Sequence, residues 1–290
     1  LFVLHESIGE KAFKKAIKNY LNKYAYQTVN TQNFFDEIKK VSDFDVENFQ
    51  KTWLESTVFD TPTANALLSK NKTIEKRLEI DKLKKAPLAE KKAILKKTLE
   101  SDVYESVKVA VVDQLENEKY EDKKALLLLA MQTNNISVRQ NLASSLTKIP
   151  EDFRTNYETL LDDKSYQTQE IALYWLWRNF PDHRTAYLDK SKNWIGFNDF
   201  NLKTLWLSLA LSTPNYSSDQ DSLVNELIAF SSTKYEATTR QNALEKLIAF
   251  KIINDQVLSN LVGATTHHMW QFSKFGRDTI RLLLKNPEMR

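Results

Sequence analysis

Apolar side chains recur every third or fourth position through most of the chain, the period of helices that each bury one face. Ala12, Phe13, Ala16, Ile17, Tyr20, Leu21 and Tyr24 form one such stripe, with Lys11, Lys14, Lys15 and Lys18 on the opposite side. Thr31 or Asn30 can cap a second helix carrying Phe34, Phe35, Ile38 and Val41, and Asp45 a third carrying Val46, Phe49 and Trp53. Three helices are therefore expected between positions 9 and 53. Thr57 to Ala64, with Pro62, reads as a connector. Ile74 to Lys85 is heavily charged and reads as a solvated helix or linker.

From Pro87 onward the pattern repeats weakly, as it does when helix pairs stack into a solenoid. Arg139-Gln140-Asn141-Leu142 returns as Arg240-Gln241-Asn242-Ala243. Alignment on the polar first position gives the anchors Lys108, Arg139, Gln169, Lys203, Arg240 and Arg277, spaced 31, 30, 34, 37 and 37 apart. Three residues after the anchors stand Val111, Leu142, Ala172, Trp206, Ala243 and Ile280, and seven after stand Leu115, Leu146, Leu176, Ala210, Leu247 and Leu284. All are apolar, and i+3 with i+7 shares one helix face. Six irregular HEAT-like helix pairs are expected. Asp102, Asn135, Asp163 and Ser165 stand where turns precede the inner helices, and Pro87, Pro150 and Pro181 where the chain restarts.

Composition agrees with an all-α fold: 42% of residues are hydrophobic and 27% charged, with only four Gly and six Pro to make turns. No apolar run approaches the ~18 residues that span a bilayer. The net charge of +3, from 41 basic and 38 acidic residues, is too even for a nucleic-acid groove or an anionic surface.

Candidate chemistry is sparse. His5-Glu6-Ser7-Ile8 begins the H-E-x-x-H pattern that sets two zinc ligands one helical turn apart, but the fifth position is Gly9. The other histidines are His183 and the adjacent pair His267 and His268, which would point ~100° apart on a helix. With no Cys there is no thiolate ligand or disulfide; no Ser stands in a G-x-S-x-G elbow and no Gly-rich loop cradles phosphate. No catalytic set and no metal site is expected within the chain. Tyr174-Trp175-Leu176-Trp177, with Trp194, Trp206 and Trp270, could line a binding surface but is expected to pack the core.

A family resemblance rests on Leu4, Gly9, Glu10, Phe13, Tyr20, Leu21, Tyr24, Gln27, Thr28, Asn30, Thr31, Phe34, Phe35, Ser42, Asp45, Val46 and Trp53. Their order and spacing resemble the gluzincin zinc aminopeptidases of the alanyl-aminopeptidase and leukotriene-hydrolase type, at the point downstream of the zinc site where the thermolysin-like domain hands over to an all-helical C-terminal domain. The resemblance covers about a sixth of the chain. Leu1-Phe2-Val3-Leu4, an apolar run with no preceding cap, reads as the middle of a helix, so the chain is expected to be the back half of a longer protein. Four-domain members of that family place a β-sandwich next. No alternating strand pattern follows Trp53 here, so the layout is closer to the three-domain type.

The resemblance implies the helical end of a thermolysin-like domain over 1–56, a connector over 57–86 and a HEAT/armadillo-like superhelix over 87–290. It implies zinc held upstream, peptides as substrates, the upstream catalytic domain as partner, and a helical wall that restricts entry. It also implies that Arg277, after Gly276, meets a substrate carboxylate, although Thr279 stands where the family has Lys and the following Pro is missing. The compartment stays open between cytoplasm and periplasm. The competing class is a free-standing HEAT-like module that binds another protein on its concave face. A repeat-built nucleic-acid enzyme is a third class, disfavoured by the even charge.

Overall fold

The computed structural model describes residues 1–285. Every regular element among them is helical, and the chain divides into two compact units, Leu1–Lys85 and the remainder from Ala86.

In the first unit, α1 (Phe2–Ile8), α2 (Glu10–Lys23), α3 (Thr31–Lys39) and α4 (Val46–Gln50) pack around Leu4, Ala16, Phe35, Ile38, Val46 and Phe49. The caps explain the boundaries. Asn30 and Asn33 exchange bonds in a capping box of 3.1 and 3.0 Å, and the Asp45 carboxylate accepts from the Asn48 amide at 2.9 Å, so orphan amides at both helix starts are satisfied. A π-helical turn, Lys51–Glu55, continues α4 and carries Trp53 against the core. The stripe on α2 is only half used within this unit. Ala16 is buried, whereas Leu21, on the other edge, is 61% exposed.

The stretch from 57 to 86 is mostly helical: α5 (Thr61–Leu68), which touches α1, and α6 (Lys72–Lys82). Asp60 caps α5, with proline in its first turn, and Asn71 caps α6. Ala64 and Ile80 are the buried apolar positions of these two helices.

The second unit is an all-α superhelical stack. Its helices are α7 (Leu88–Glu100), α8 (Glu105–Asp113), α9 (Tyr120–Gln132), α10 (Ile136–Ser145), α11 (Arg154–Glu158), α12 (Tyr166–Asn179), α13 (Arg184–Ser191), α14 (Asn201–Leu211), α15 (Gln220–Phe230), α16 (Ala237–Ala249), α17 (Asp255–Ala264) and α18 (Trp270–Lys285). The even-numbered helices from α8 to α18 touch in succession, each flanked by odd-numbered neighbours, which makes two layers. The six anchors fall one on each of these inner helices.

Of the twelve apolar positions aligned on the anchors, all are buried except Ile280, which is half-buried, and Leu284, which is 57% exposed. Both exceptions lie on α18, the last described helix of the stack. The residue just before each anchor is buried as well: Val107, Val138, Thr168, Leu202, Thr239 and Gly276. Asn135 and Ser165 cap α10 and α12 through the amides of Val138 and Thr168. Asp102 caps nothing; α8 starts after Tyr104 without a side-chain cap.

Polar links tie the layers together. The buried Tyr157 hydroxyl donates to the Ala143 carbonyl at 2.8 Å, joining α11 to α10, and burial pushes its pKa up. The Trp206 indole donates to the Leu188 carbonyl at 2.9 Å, joining α14 to α13. Lys123, nearly buried, donates to the carbonyls of Leu115 and Glu116 beyond the end of α8.

Candidate functional site

His5 and Glu6 sit in α1, where their side chains bond each other at 2.9 Å and the His5 ring meets Phe13 edge-on at 5.1 Å. Helix α1 stops at Gly9, whose φ of 81° lies in the left-handed region open to glycine, and α2 starts at the next residue. A Cβ there would meet nothing within 4 Å, so the glycine serves the backbone turn rather than packing. The position where H-E-x-x-H needs its second imidazole is therefore a helix break, and the residues present do not fit a zinc ion. His183 lies beside Tyr187, and the His267 and His268 rings lie with centroids 4.2 Å apart, tilted by 31°. Among the described residues no group of three or more His, Cys, Asp or Glu is placed to hold a metal.

The open edge of α2 forms a shallow apolar groove. His5, Phe13, Ile17 and Leu21 line it, with Lys14 and Lys18 at its rim.

The aromatic cluster is divided between layers. Leu176 is fully buried, and Trp175 is half-buried beside Tyr174 and Arg178. Trp177 spans a helix junction: its indole donates to the Thr213 hydroxyl at 2.8 Å, and the Arg184 guanidinium lies 3.9 Å over its ring. Trp270 is the exposed one, at 65%.

Arg277 stands on α18 and is exposed. Its Nη1 donates to the Thr265 carbonyl at 3.1 Å, beyond the last residue of α17. Gly276 lets the two helices close, since a Cβ on it would stand 3.0 Å from both the Ala264 Cβ and the Thr265 amide nitrogen. The Gly-Arg pair thus has a packing task and a capping task.

Three other anchors do the same work, a regularity that composition and spacing did not reveal. Arg139 donates to Met131, Gln169 to Leu161 and Arg240 to Ser231, each a carbonyl at or near the C-terminal end of the preceding helical segment. Helix ends leave such carbonyls without partners, which explains why long polar side chains recur at this register.

Residues 1–53 match the family model described as the peptidase family M1 domain. No curated protein matches the chain, and no solved structure does.

Proposed function

We propose that the chain, whose residues 1–53 match the model of the peptidase family M1 domain, is the C-terminal, non-catalytic part of a zinc-dependent aminopeptidase. In this reading residues 1–56 are the last helices of the catalytic domain, 57–86 connect, and the helices from 87 onward form a HEAT-like wall that narrows access for peptides. The zinc and its ligands belong to the upstream part of the protein, so this segment alone is inactive. The observation that carries the reading is the coincidence of the family match with one capped helical core, Leu4 to Phe49, followed by stacked helix pairs.

The groove beside α2 supports it. An apolar edge on a helix inside the matched segment suits a surface that packs against the rest of the peptidase domain. Arg277 is the residue proposed to meet a substrate carboxylate, through the part of its guanidinium not engaged by Thr265.

Amide hydrogen exchange tests this packing. Leu21 and its neighbours on α2 exchange more slowly in the chain extended upstream in its native reading frame than in the 290-residue chain. Equal rates in both would remove the groove as a domain surface and favour the free-standing repeat module.

A further inference from the structure

The start of α12 and the loop that leads into α14 border a cavity of about 420 Å³, lined chiefly by Tyr166, Glu170, Phe197, Asp199 and Asn201. Its apolar lining is aromatic. The Tyr166 and Phe197 rings lie with centroids 6.5 Å apart and planes inclined at 37°, and the two residues are 48% and 64% exposed.

Phe197 is held in solvent by a fixed loop. The Ile195 carbonyl accepts from the Lys203 amide at 3.1 Å, and the Phe197 amide donates to Asn201 Oδ1 at 3.1 Å. Gly196, with φ of 98°, lets the loop fold onto Asn201, because a Cβ there would collide with that side chain. Phe200 takes φ of 53°, uncommon for a bulky residue, and packs its ring 5.1 Å from Phe230 and 5.5 Å from Tyr235. Anchors on both sides of Phe197, one of them strained, thus keep an apolar ring in water.

The polar lining is anionic. Glu170 Oε2 accepts from Asn201 Nδ2 at 2.5 Å and Asp199 Oδ1 from the Asn201 amide at 3.3 Å, so the buried Asn201 brings both carboxylates to one place. Among the described residues neither carboxylate forms an ion pair, and Glu170 Oε1 and Asp199 Oδ2 accept no hydrogen bond. Lys246 on α16 is near enough for both charges to act on it, but burial outweighs them and holds its pKa below the ordinary value. No third His, Cys, Asp or Glu among the described residues joins the two as a metal ion would require. An organic cation answers both linings at once, since its charge suits the free carboxylate oxygens and the electron-rich ring faces.

We propose that this cavity binds the cationic side chain of a peptide, its ammonium or guanidinium held by Glu170 and Asp199 and its aliphatic stem against Tyr166 and Phe197. The volume suits a ligand of that size. Ile195, 59% exposed on the same loop, leaves further apolar surface for the residues that flank such a side chain. The site lies wholly within the second unit and does not rest on the peptidase reading.

The test titrates the 290-residue chain with N-acetyl tripeptide amides that carry lysine or arginine at the centre, and with neutral counterparts that carry norleucine or citrulline there, read by the NMR signals of Tyr166, Phe197 and Asn201. The expected result is saturable binding of at least one cationic peptide and no saturation by either neutral one. Glu170→Gln and Asp199→Asn should each weaken binding about tenfold, and Phe197→Ala about threefold. The first two keep the oxygens that Asn201 uses and the third removes an exposed ring, so all three variants retain the fold. Binding of the lysine peptide alone identifies an ammonium site, and of the arginine peptide alone a guanidinium site. Equal binding of the neutral peptides, no binding of either cation, or binding unchanged in any of the three variants would overturn the proposal. So would loss of binding in Asp189→Asn instead, whose carboxylate borders a separate cavity beside Tyr216.

Discussion

Arg139 and Asp163 form a 2.6 Å ion pair whose carboxylate side chain is only 3% exposed, and it joins α10 to the turn that starts α12. Removal of the carboxylate leaves a largely desolvated guanidinium with carbonyl partners only. Asp163→Ala is therefore expected to lower unfolding free energy by about 3 kcal/mol in a urea titration. Arg240→Met removes a charge that has no carboxylate beside it among the described residues and should change stability by less than about 1 kcal/mol. Equal losses in the two variants would show that the two arginines are not differently paired.

The glycines of the last helix pair give opposite expectations. Gly276→Ala drives a Cβ to 3.0 Å from Ala264 and the Thr265 backbone, and α17 must move away. A loss of about 1–3 kcal/mol is expected. Gly263→Ala places its Cβ at an ordinary 3.8 Å from Arg240 and removes backbone freedom from a helical position, so a gain of up to about 1 kcal/mol is expected. Thermal unfolding of both variants measures the difference in sign.

Acid sensitivity should reside partly in the first unit. The Glu37 carboxyl is held below its ordinary 4.5, first by the bond from Lys40 and further by Lys23, at 2.6 and 3.2 Å. A lowered folded pKa means that the unfolded chain takes up the proton first. The stabilisation is complete above the unfolded pKa and is lost as pH falls through the folded one. Urea midpoints measured from about pH 7 down to pH 3 should fall, and Glu37→Gln should flatten that fall. An unchanged slope would contradict the assignment.

Arg277 has one observed task, its bond to Thr265, and one proposed task, and kinetics can separate them. Loss of its bond to Thr265 in Arg277→Ala should cost about 1 kcal/mol of stability. In the upstream-extended enzyme the same variant should raise KM for peptides with a free carboxylate and leave aminoacyl-arylamide hydrolysis unchanged. A stability loss with equal KM for acids and amides would leave Arg277 as a cap alone.

Local signals were the most legible part of the sequence. Asn30, Asp45 and Ser165 cap the helices that their positions suggest, and the i+3 and i+7 positions after the first five anchors are all buried. The position before each anchor was missed because Thr168, Thr239 and Gly276 break its apolar pattern, although burial there is uniform. Pro62 suggested a connector, yet after Asp60 it marks a helix start, since proline suits a first turn. The shared capping work of Arg139, Gln169, Arg240 and Arg277 joins residues 8 to 12 apart across a turn, and no linear motif records it.

The most direct measurement is zinc content and aminoacyl-arylamide hydrolysis for the 290-residue chain and for the chain extended upstream in its native reading frame. The account predicts about one zinc and cleavage in the extended chain, and neither in the 290-residue chain. An extended chain without zinc or activity, or a reading frame that begins near Leu1, would contradict it and point to a binding module.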